Sequence, residues 1–174
     1  MKSILVVVDM QTDFVDGALG TPEAVKILPN VCEKIKNFKG DIIVTLDTHK
    51  ENYLSTAEGK NLPVEHCIKG TFGWELHPEV AAALNGKPHT VLEKPTFGST
   101  DLPKAVLDIA GNEDFEITLI GLCTDICVVS NALLLKANFP EKKIVVESAL
   151  CAGVTPETHN AALTTMKMCQ IEVQ

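Results

Sequence analysis

The sequence predicts an α/β fold of three layers, in which helices cover both faces of a six-stranded, mainly parallel, doubly wound sheet. First, six short apolar segments alternate with segments of helical periodicity along the 174 residues. Second, SILVVV (3–8) and DIIVTL (41–46) are continuous β-branched runs, which are typical of strands buried on both faces. Third, strands that are joined through helices need crossover connections and therefore run parallel.

The other elements follow in chain order. After the first strand, the segment Thr21-Pro22-Glu23 supplies an N-cap and a proline at the first helical position, and the apolar face continues to about residue 38. A second helix begins at Pro78 (PEVAAAL), beyond the polar stretch 47–77. Three further helices are predicted, one capped by Thr100-Asp101, one over 125–138 and one from Thr155-Pro156-Glu157 to 168. The remaining strands are predicted at 89–93, 115–121, 143–148 and 169–173.

Composition excludes several classes of protein. A chain of 174 residues with 45% apolar and 22% charged residues is typical of one globular domain, here 1–174. The net charge of −8 disfavours nucleic acid and anionic membranes as partners. No apolar run reaches the roughly 18 residues of a membrane span, and the N-terminal run is too short for a signal peptide. Six scattered cysteines without a secretion signal predict a reduced, cytoplasmic protein.

Polar residues follow four of the predicted strands at the point where each strand ends. Asp9 follows the first strand, Asp47 and His49 follow the second, Lys94 follows the third, and GLCTDICVVSN (121–131) follows the fourth. In parallel α/β sheets, ligands bind beyond the carboxyl ends of the strands. The stretch 47–77 is also longer than the usual connection between a strand and a helix, and it carries large apolar residues. Both features indicate an ordered, functional loop. The sequence therefore predicts a site at this edge.

Cys127 is the candidate nucleophile at that edge. It is predicted in the first turn of a helix, where free amides, the helix dipole and a nearby Lys94 favour a thiolate. Asp9 could take the thiol proton and return it to a leaving group. Spacing alone leaves the alternatives open: Asp9 as a helix cap, Lys94 as a solvated charge and Cys127 as a core residue.

At this point the chain resembles the isochorismatase-like cysteine hydrolases and, among them, the nicotinamidases. The resemblance lies in segments spread through nearly the whole chain: VVVDMQTDF (6–14), LDTH (46–49), EHCIKGTFG (65–73), EKPTFGSTDL (93–102) and GLCTDICVVSNA (121–132). The segments 46–49 and 65–73 together resemble the metal loop of the family, and four such motifs in order, each at the right edge of one sheet, are more specific than any one of them alone.

The resemblance implies roles for named residues. Asp9, Lys94 and Cys127 would form a catalytic triad, and a non-proline cis peptide bond would precede Cys123. The backbone amides of Cys123 and Cys127 would then form the oxyanion hole that a tetrahedral intermediate needs. The implied reaction converts nicotinamide and water to nicotinate and ammonia through a thioester. Members of the family commonly form dimers or tetramers, so a homo-oligomer is expected.

The resemblance also implies a divalent metal and no organic cofactor. Asp47, His49 and His66 offer one carboxylate and two imidazoles, which suit zinc, iron or manganese. The nicotinamidases add another ligand from the intervening loop, where this chain has no histidine. Three glutamates are candidates for it: Glu58 first, then Glu51 and Glu65. Zinc is the expected ion, and in the family it holds the ring nitrogen of the substrate.

The substrate contacts depart from the family pattern. Many nicotinamidases place a tryptophan a few residues before the last histidine ligand, whereas this chain has Leu62-Pro63-Val64 there and its single tryptophan, Trp74, lies further on. Phe14 and Phe97 could still sandwich a flat ring, or they could be core aromatics.

Other functions stay as alternatives. A related amidohydrolase could use the same triad on a carbamoyl or ureido compound, whereas isochorismatase activity is disfavoured because members with that activity characteristically lack the thiol. A nucleotide-binding domain is disfavoured by the absence of glycine-rich phosphate motifs. A thiol-redox module is disfavoured because Cys123 and Cys127 are spaced C-x-x-x-C, although the sequence does not exclude a disulfide between them.

Overall fold

The computed structural model describes residues 1–174 and contains six strands and seven α-helices. The strands are β1 (Lys2–Val8), β2 (Asp41–Asp47), β3 (His89–Lys94), β4 (Phe115–Leu122), β5 (Lys143–Ala152) and β6 (Glu172–Val173). The helices are α1 (Thr12–Val15), α2 (Pro22–Asn37), α3 (Ala57–Asn61), α4 (Pro78–Leu84), α5 (Leu102–Ala110), α6 (Val129–Asn138) and α7 (Pro156–Met168). A 3-10 turn (Tyr53–Ser55) precedes α3, and a π-helical turn (Thr124–Val128) leads into α6.

All six strands run parallel in the order β3-β2-β1-β4-β5-β6. One apolar layer packs α2 and α4 against one face, and a second packs α5, α6 and α7 against the other. Alternate residues of β1 supply the two layers: Leu5 and Val7 face one, while Ile4 and Val6 face the other. The predicted three-layer doubly wound fold is confirmed.

The strand order places the sheet's switch point between β1 and β4. The chain moves outward from β1 through β2 to β3, and then returns to start β4 on the other side of β1. Helices therefore leave neighbouring strands toward opposite faces and open a crevice beyond their carboxyl ends. Asp9 directly follows β1, and the turn that contains Cys127 directly follows β4.

Helix capping agrees with most of the predicted starts. The Thr21 hydroxyl accepts a hydrogen bond from the Ala24 amide at 3.0 Å, and Thr155 forms a reciprocal capping box with Thr158. The prediction for α5 is wrong in one detail, because the Asp101 side chain makes no capping bond. None of the helices combines the length and the apolarity that a membrane span requires.

Three other local predictions differ from the structure. The last strand is Glu172–Val173 instead of 169–173, because Cys169 and Gln170 form the turn after α7. Strand β5 continues past residue 148 to Ala152, after an irregularity in its register with β4. Apolar patterning missed α1, the 3-10 turn and α3, because helical periodicity is not visible in elements of three to five residues.

Candidate active site

Asp9 is a buried carboxylate at the end of β1. Its backbone is left-handed (φ +47°), which turns the chain out of the strand direction at this residue. The Thr45 hydroxyl of β2 donates a hydrogen bond to Asp9 Oδ1 at 2.6 Å. Burial raises the pKa of Asp9, although the neighbouring Lys94 opposes that shift. The higher pKa makes Asp9 a stronger base than a carboxylate in water.

Lys94, at the end of β3, is surrounded by acceptors. Its Nζ lies 2.7 Å from Asp9 Oδ2, 3.4 Å from Asp47 Oδ1 and 3.4 Å from Cys127 Sγ. The contact with Asp9 Oδ2 is a buried ion pair between the ammonium and the carboxylate. Burial would lower the pKa of Lys94, but Asp9 and the other anionic neighbours outweigh burial and raise it. The ammonium therefore stays charged.

Cys127 lies in the π-helical turn that follows β4, and 4% of its surface is exposed. Gly121 allows β4 to approach the end of β1: its φ is +117°, and a Cβ at this position would lie 2.2 Å from the Val8 carbonyl oxygen. Pairing of Val8 with Gly121 brings the turn after β4 beside Asp9.

The surroundings of Cys127 act on the pKa of its thiol in opposite directions. Burial raises the pKa of the thiol well above its ordinary value, and the negative charge of Asp9 raises it further, while Lys94 opposes both. Burial and the charge of Asp9 therefore oppose the helix dipole and Lys94 that favour a thiolate, and the neighbouring Asp9 is positioned to take the thiol proton.

The backbone at Cys123 matches the implied geometry. The peptide bond between Leu122 and Cys123 is cis. The Cys123 amide donates no hydrogen bond to the protein, although its carbonyl accepts from Ile126 and Val128. Burial raises the pKa of the Cys123 thiol to about 12, which keeps its sulfur protonated.

A second cluster lies beside the thiol. Asp47, His49, Glu58 and His66 each direct one ligand atom toward a common point, and these four atoms all lie within 4.8 Å of one another. Glu51 and Glu65, the rival candidates for the loop ligand, are outside the cluster. The hydrogen bonds from both imidazoles and the charge of Lys94 outweigh burial and hold the pKa of Asp47 well below its usual range.

The donor set fits a divalent metal ion. Asp47 Oδ2 lies 2.9 Å from His49 Nε2 and 3.5 Å from His66 Nε2, and Glu58 Oε1 lies 3.6 Å from each imidazole. Tetrahedral zinc with ligands at about 2.0–2.2 Å places the ligand atoms roughly 3.3–3.6 Å from one another. The four side chains would therefore need only small shifts to bind such an ion. The Val64 carbonyl accepts from His66 Nδ1 at 2.8 Å, so the neutral tautomer that keeps this bond would present Nε2 to a metal ion.

Other buried side chains hold the ligands in place. Gln11 forms two hydrogen bonds with the backbone of Asp47: its Nε2 donates to the Asp47 carbonyl at 2.9 Å, and its Oε1 accepts from the Asp47 amide at 2.8 Å. The Tyr53 ring packs edge-on against both imidazoles, with ring centroids 4.7 Å from His49 and 5.0 Å from His66. The loop between β2 and α4 is therefore an ordered part of the site.

A cavity of about 240 Å³ opens onto both clusters. Cys127 lies on its wall together with Asp47, Glu58 and His66, and the wall is otherwise mostly apolar. Phe14 and Phe97 both line it, as do Leu62 and Ile126, whereas Trp74 lies elsewhere and donates to the Thr48 hydroxyl. Its volume is below the usual range of about 300–1,000 Å³ for drug-sized ligands, so it suits a small molecule.

The structure brings all the predicted site residues to one edge of the sheet, and it adds three that sequence reasoning missed. Thr45, Gln11 and Tyr53 contact the predicted residues, but none of them follows a strand as an isolated polar group, which was the signal used. Gln11 was visible within DMQTDF, next to Asp9. His159 of α7 is outside this cavity and contacts the Thr124 hydroxyl.

Comparison with known proteins places this geometry in a family. The isochorismatase domain matches residues 3–174. The isochorismatase family protein PncA of Bacillus subtilis is 30% identical over 177 residues, which cover 94% of this chain and 93% of that protein. The nicotinamidase/pyrazinamidase of Mycobacterium tuberculosis is 23% identical over 182 residues, covering 97% and 96%.

Solved structures agree with the sequence matches. The crystal structure of nicotinamidase/pyrazinamidase PncA from Bacillus subtilis superposes with a TM-score of 0.84 at 27% identity, covering 99% of each chain. The pyrazinamidase of Pyrococcus horikoshii in complex with zinc superposes with a TM-score of 0.83 at 29% identity, covering 100% of this chain and 99% of the other. Family and fold agree along the whole length, and the chain therefore belongs to the isochorismatase family.

Proposed function

We propose that this protein is a cysteine-dependent amidohydrolase that converts nicotinamide and water to nicotinate and ammonia. The observation that carries the proposal is the contact of Lys94 Nζ with both Asp9 and Cys127. Cys127 lies on the wall of a small, mostly apolar cavity, next to the cluster of four potential metal ligands. Two relatives with this fold are named as nicotinamidase/pyrazinamidases, and a third is a pyrazinamidase in complex with zinc.

The first half of the reaction forms a thioester. Asp9 takes the proton of the Cys127 thiol, and the sulfur attacks the carboxamide carbon. The amides of Cys123 and Cys127 hold the oxyanion, a role that the unpaired Cys123 amide supports. Asp9 then gives its proton to the departing nitrogen, and ammonia leaves. A carboxyl with a raised pKa suits the first step, because it is a stronger base toward the thiol than a carboxylate in water.

The second half hydrolyses the thioester. Asp9, again ionised, takes a proton from water as its oxygen attacks the acyl carbon, and the same amides hold the second oxyanion. The bond to sulfur breaks, nicotinate leaves, and Asp9 returns the proton to Cys127. Lys94 stays positively charged throughout and stabilises whichever partner is negative.

Asp47, His49, Glu58 and His66 would hold the divalent ion, with zinc as the proposed metal and iron or manganese as alternatives. When bound, the ion supplies a Lewis-acidic site for the ring nitrogen of the substrate. Phe14 and Phe97 would contact the faces of the ring. No organic cofactor is required by this chemistry.

The test is ammonia release from nicotinamide, with and without a chelator, compared with a panel of carbamoyl and ureido compounds. We expect nicotinamide turnover that chelation abolishes and that added zinc, iron or manganese restores. Turnover of nicotinamide that persists in Cys127→Ala would refute the mechanism, and no turnover of nicotinamide by the parent protein would refute the substrate.

One observation favours a second candidate, hydrolysis of a non-aromatic carbamoyl or ureido compound. Leu62 lines the cavity from the segment where many nicotinamidases carry a tryptophan, so the wall offers less aromatic surface to a flat ring. Turnover confined to ureido compounds in the same panel would select this candidate and leave the proposed triad in place.

We further propose that residues 1–174 act as one domain in the cytoplasm and form a homo-oligomer, a dimer or a tetramer. The match of one family domain to residues 3–174 supports the single domain. Light scattering coupled to size-exclusion chromatography measures the assembly.

A further inference from the structure

Asn131 is a fully buried amide that joins the nucleophile helix to a separate loop. It lies on α6, one turn after Cys127, and its Nδ2 donates to the Cys127 carbonyl at 2.8 Å. The same Nδ2 donates to the Phe97 carbonyl at 3.2 Å, and its Oδ1 accepts from the Ser99 amide at 2.9 Å. Both ends of the side chain are therefore used, and two of its three bonds cross to the loop between β3 and α5.

That loop carries two groups of the candidate site. The Phe97 ring lines the cavity, and the Thr96 carbonyl accepts from Lys94 Nζ at 3.2 Å. The loop also approaches α6 closely, since a Cβ on Gly98 would lie 3.4 Å from the Ser130 carbonyl oxygen.

Few other bonds hold the loop. Within residues 95–99, the remaining hydrogen bonds are local: the Thr96 hydroxyl donates to the Gly98 carbonyl, and the Leu102 amide donates to the Ser99 carbonyl. Apart from Lys94, Asn131 is the only side chain from another element that hydrogen-bonds to these residues. The Phe97 ring is half exposed at the mouth of the cavity, so packing alone does not hold its backbone.

We propose that Asn131 is a positioning residue that fixes the Phe97 wall of the substrate cavity relative to Cys127. This inference rests on the proposed function and adds to it. Asn131 does not touch the substrate: it acts through the backbone of Phe97 and Ser99. Its loss should therefore weaken the binding of substrate more than it slows the chemistry at sulfur, because Cys127 is held independently by its own turn.

The experiment compares Asn131→Ala with Asn138→Ala. Asn138 is a matched control, because its Nδ2 donates to the Leu134 carbonyl four residues earlier at 2.9 Å, as Asn131 does to Cys127, yet it is exposed and touches no loop. Amide hydrogen exchange at Ser99 should accelerate in Asn131→Ala only. With nicotinamide, we expect KM to rise about 10-fold or more in Asn131→Ala with kcat reduced less than about 3-fold, and both constants to stay unchanged in Asn138→Ala.

A double-substitution cycle with Phe97→Ala separates positioning from a general structural role. If Asn131 acts through Phe97, adding Asn131→Ala to Phe97→Ala should change KM less than about 3-fold. Full additivity of the two effects, or a KM in Asn131→Ala within 2-fold of the parent value, would overturn the proposal. If Asn131→Ala does not fold, Asn131→Ser carries the same test, since its hydroxyl can still donate to the Cys127 carbonyl four residues earlier but is too short to keep the bonds to the loop.

Failure of the proposed function gives a different result. A parent protein that does not hydrolyse nicotinamide overturns the substrate assignment and, with it, the role of Asn131 in binding that substrate. A parent that hydrolyses nicotinamide while Asn131→Ala keeps its KM overturns the positioning role alone.

Discussion

Replacing Lys94 by methionine removes the positive charge that faces two buried carboxylates. Lys94 is 1% exposed and Asp9 is fully buried, and their charged atoms lie 2.7 Å apart. Asp47 Oδ1 lies 3.4 Å from the same nitrogen. Methionine has a similar length and no charge, so the substitution leaves the packing largely filled while the carboxylates lose their counter-charge.

The expected cost follows from the burial of this ion pair. Removing one partner of a buried pair leaves an uncompensated charge and typically costs about 3–5 kcal/mol. For a chain of this size, each kcal/mol lowers the melting temperature by about 2–4 °C, so Lys94→Met should melt about 6–20 °C below the parent protein. Asp9 will take up a proton more readily, since burial already raises its pKa, and this limits the loss to the lower part of the range.

The assay is thermal unfolding followed by circular dichroism, with Lys104→Met as the control. Lys104 pairs with Asp108 on the surface of α5, where both side chains are exposed, so its loss should change the melting temperature by less than about 2 °C. The double variant Lys94→Met/Asp9→Asn should recover part of the loss, because it removes one of the two stranded charges. Equal melting temperatures for Lys94→Met and Lys104→Met would refute the argument that the loss of the Lys94–Asp9 pair leaves an uncompensated buried charge.

Three further predictions concern the reacting groups. The rate of amide hydrolysis should fall by at least about 10³-fold in Cys127→Ala, whereas Cys123→Ala should keep most of the rate because only the backbone amide of Cys123 is used. Steady-state ammonia release measures both rates, and equal losses in the two variants would contradict the assignment. Asp9→Asn should lower the pKa of Cys127, because the negative charge of Asp9 is gone while Lys94 remains. Iodoacetamide should therefore modify the thiol faster, by about 3-fold per unit of pKa change because a less basic thiolate is also a weaker nucleophile, even though hydrolysis falls. Slower modification would show that the charge of Asp9 does not raise the pKa of the thiol. Thr45→Val removes a 2.6 Å hydrogen bond that lowers the pKa of Asp9, so the acidic limb of the pH profile of kcat/KM should move to higher pH. The free energy of unfolding should also fall by about 1.5–3 kcal/mol. An acidic limb that does not move would exclude Asp9 as the titrating base.

The site was predictable wherever a polar residue stands at the carboxyl end of a predicted strand. Asp9, Asp47 and Lys94 could be brought together from the sequence because the carboxyl ends of parallel strands meet at one edge of a sheet. The resemblance to a family of hydrolases then assigned them roles and separated Cys127 from Cys123. Glu58 was the preferred loop ligand over two rivals, and the structure brings it, and neither rival, into the cluster.

The supporting contacts were not predictable in the same way. Thr45 and Gln11 look like an ordinary strand residue and an ordinary loop residue, and their importance lies in bonds across 36 positions of sequence. Asn131 has the same character: nothing in SNALLL indicates that its amide reaches the loop after β3, 32 positions earlier.

By itself, the sequence determined the layered α/β fold, the edge of the sheet at which the site lies and the chemical groups present there. These follow from periodicity and chain order, which are local properties. Only the tertiary structure decided the burial of the Cys127 thiol, the distances among the four potential metal ligands and the hydrogen bonds from Asn131 to the loop that carries Phe97. Each of these depends on burial and on distances between segments that are far apart in the chain, because desolvation and hydrogen bonding act through space.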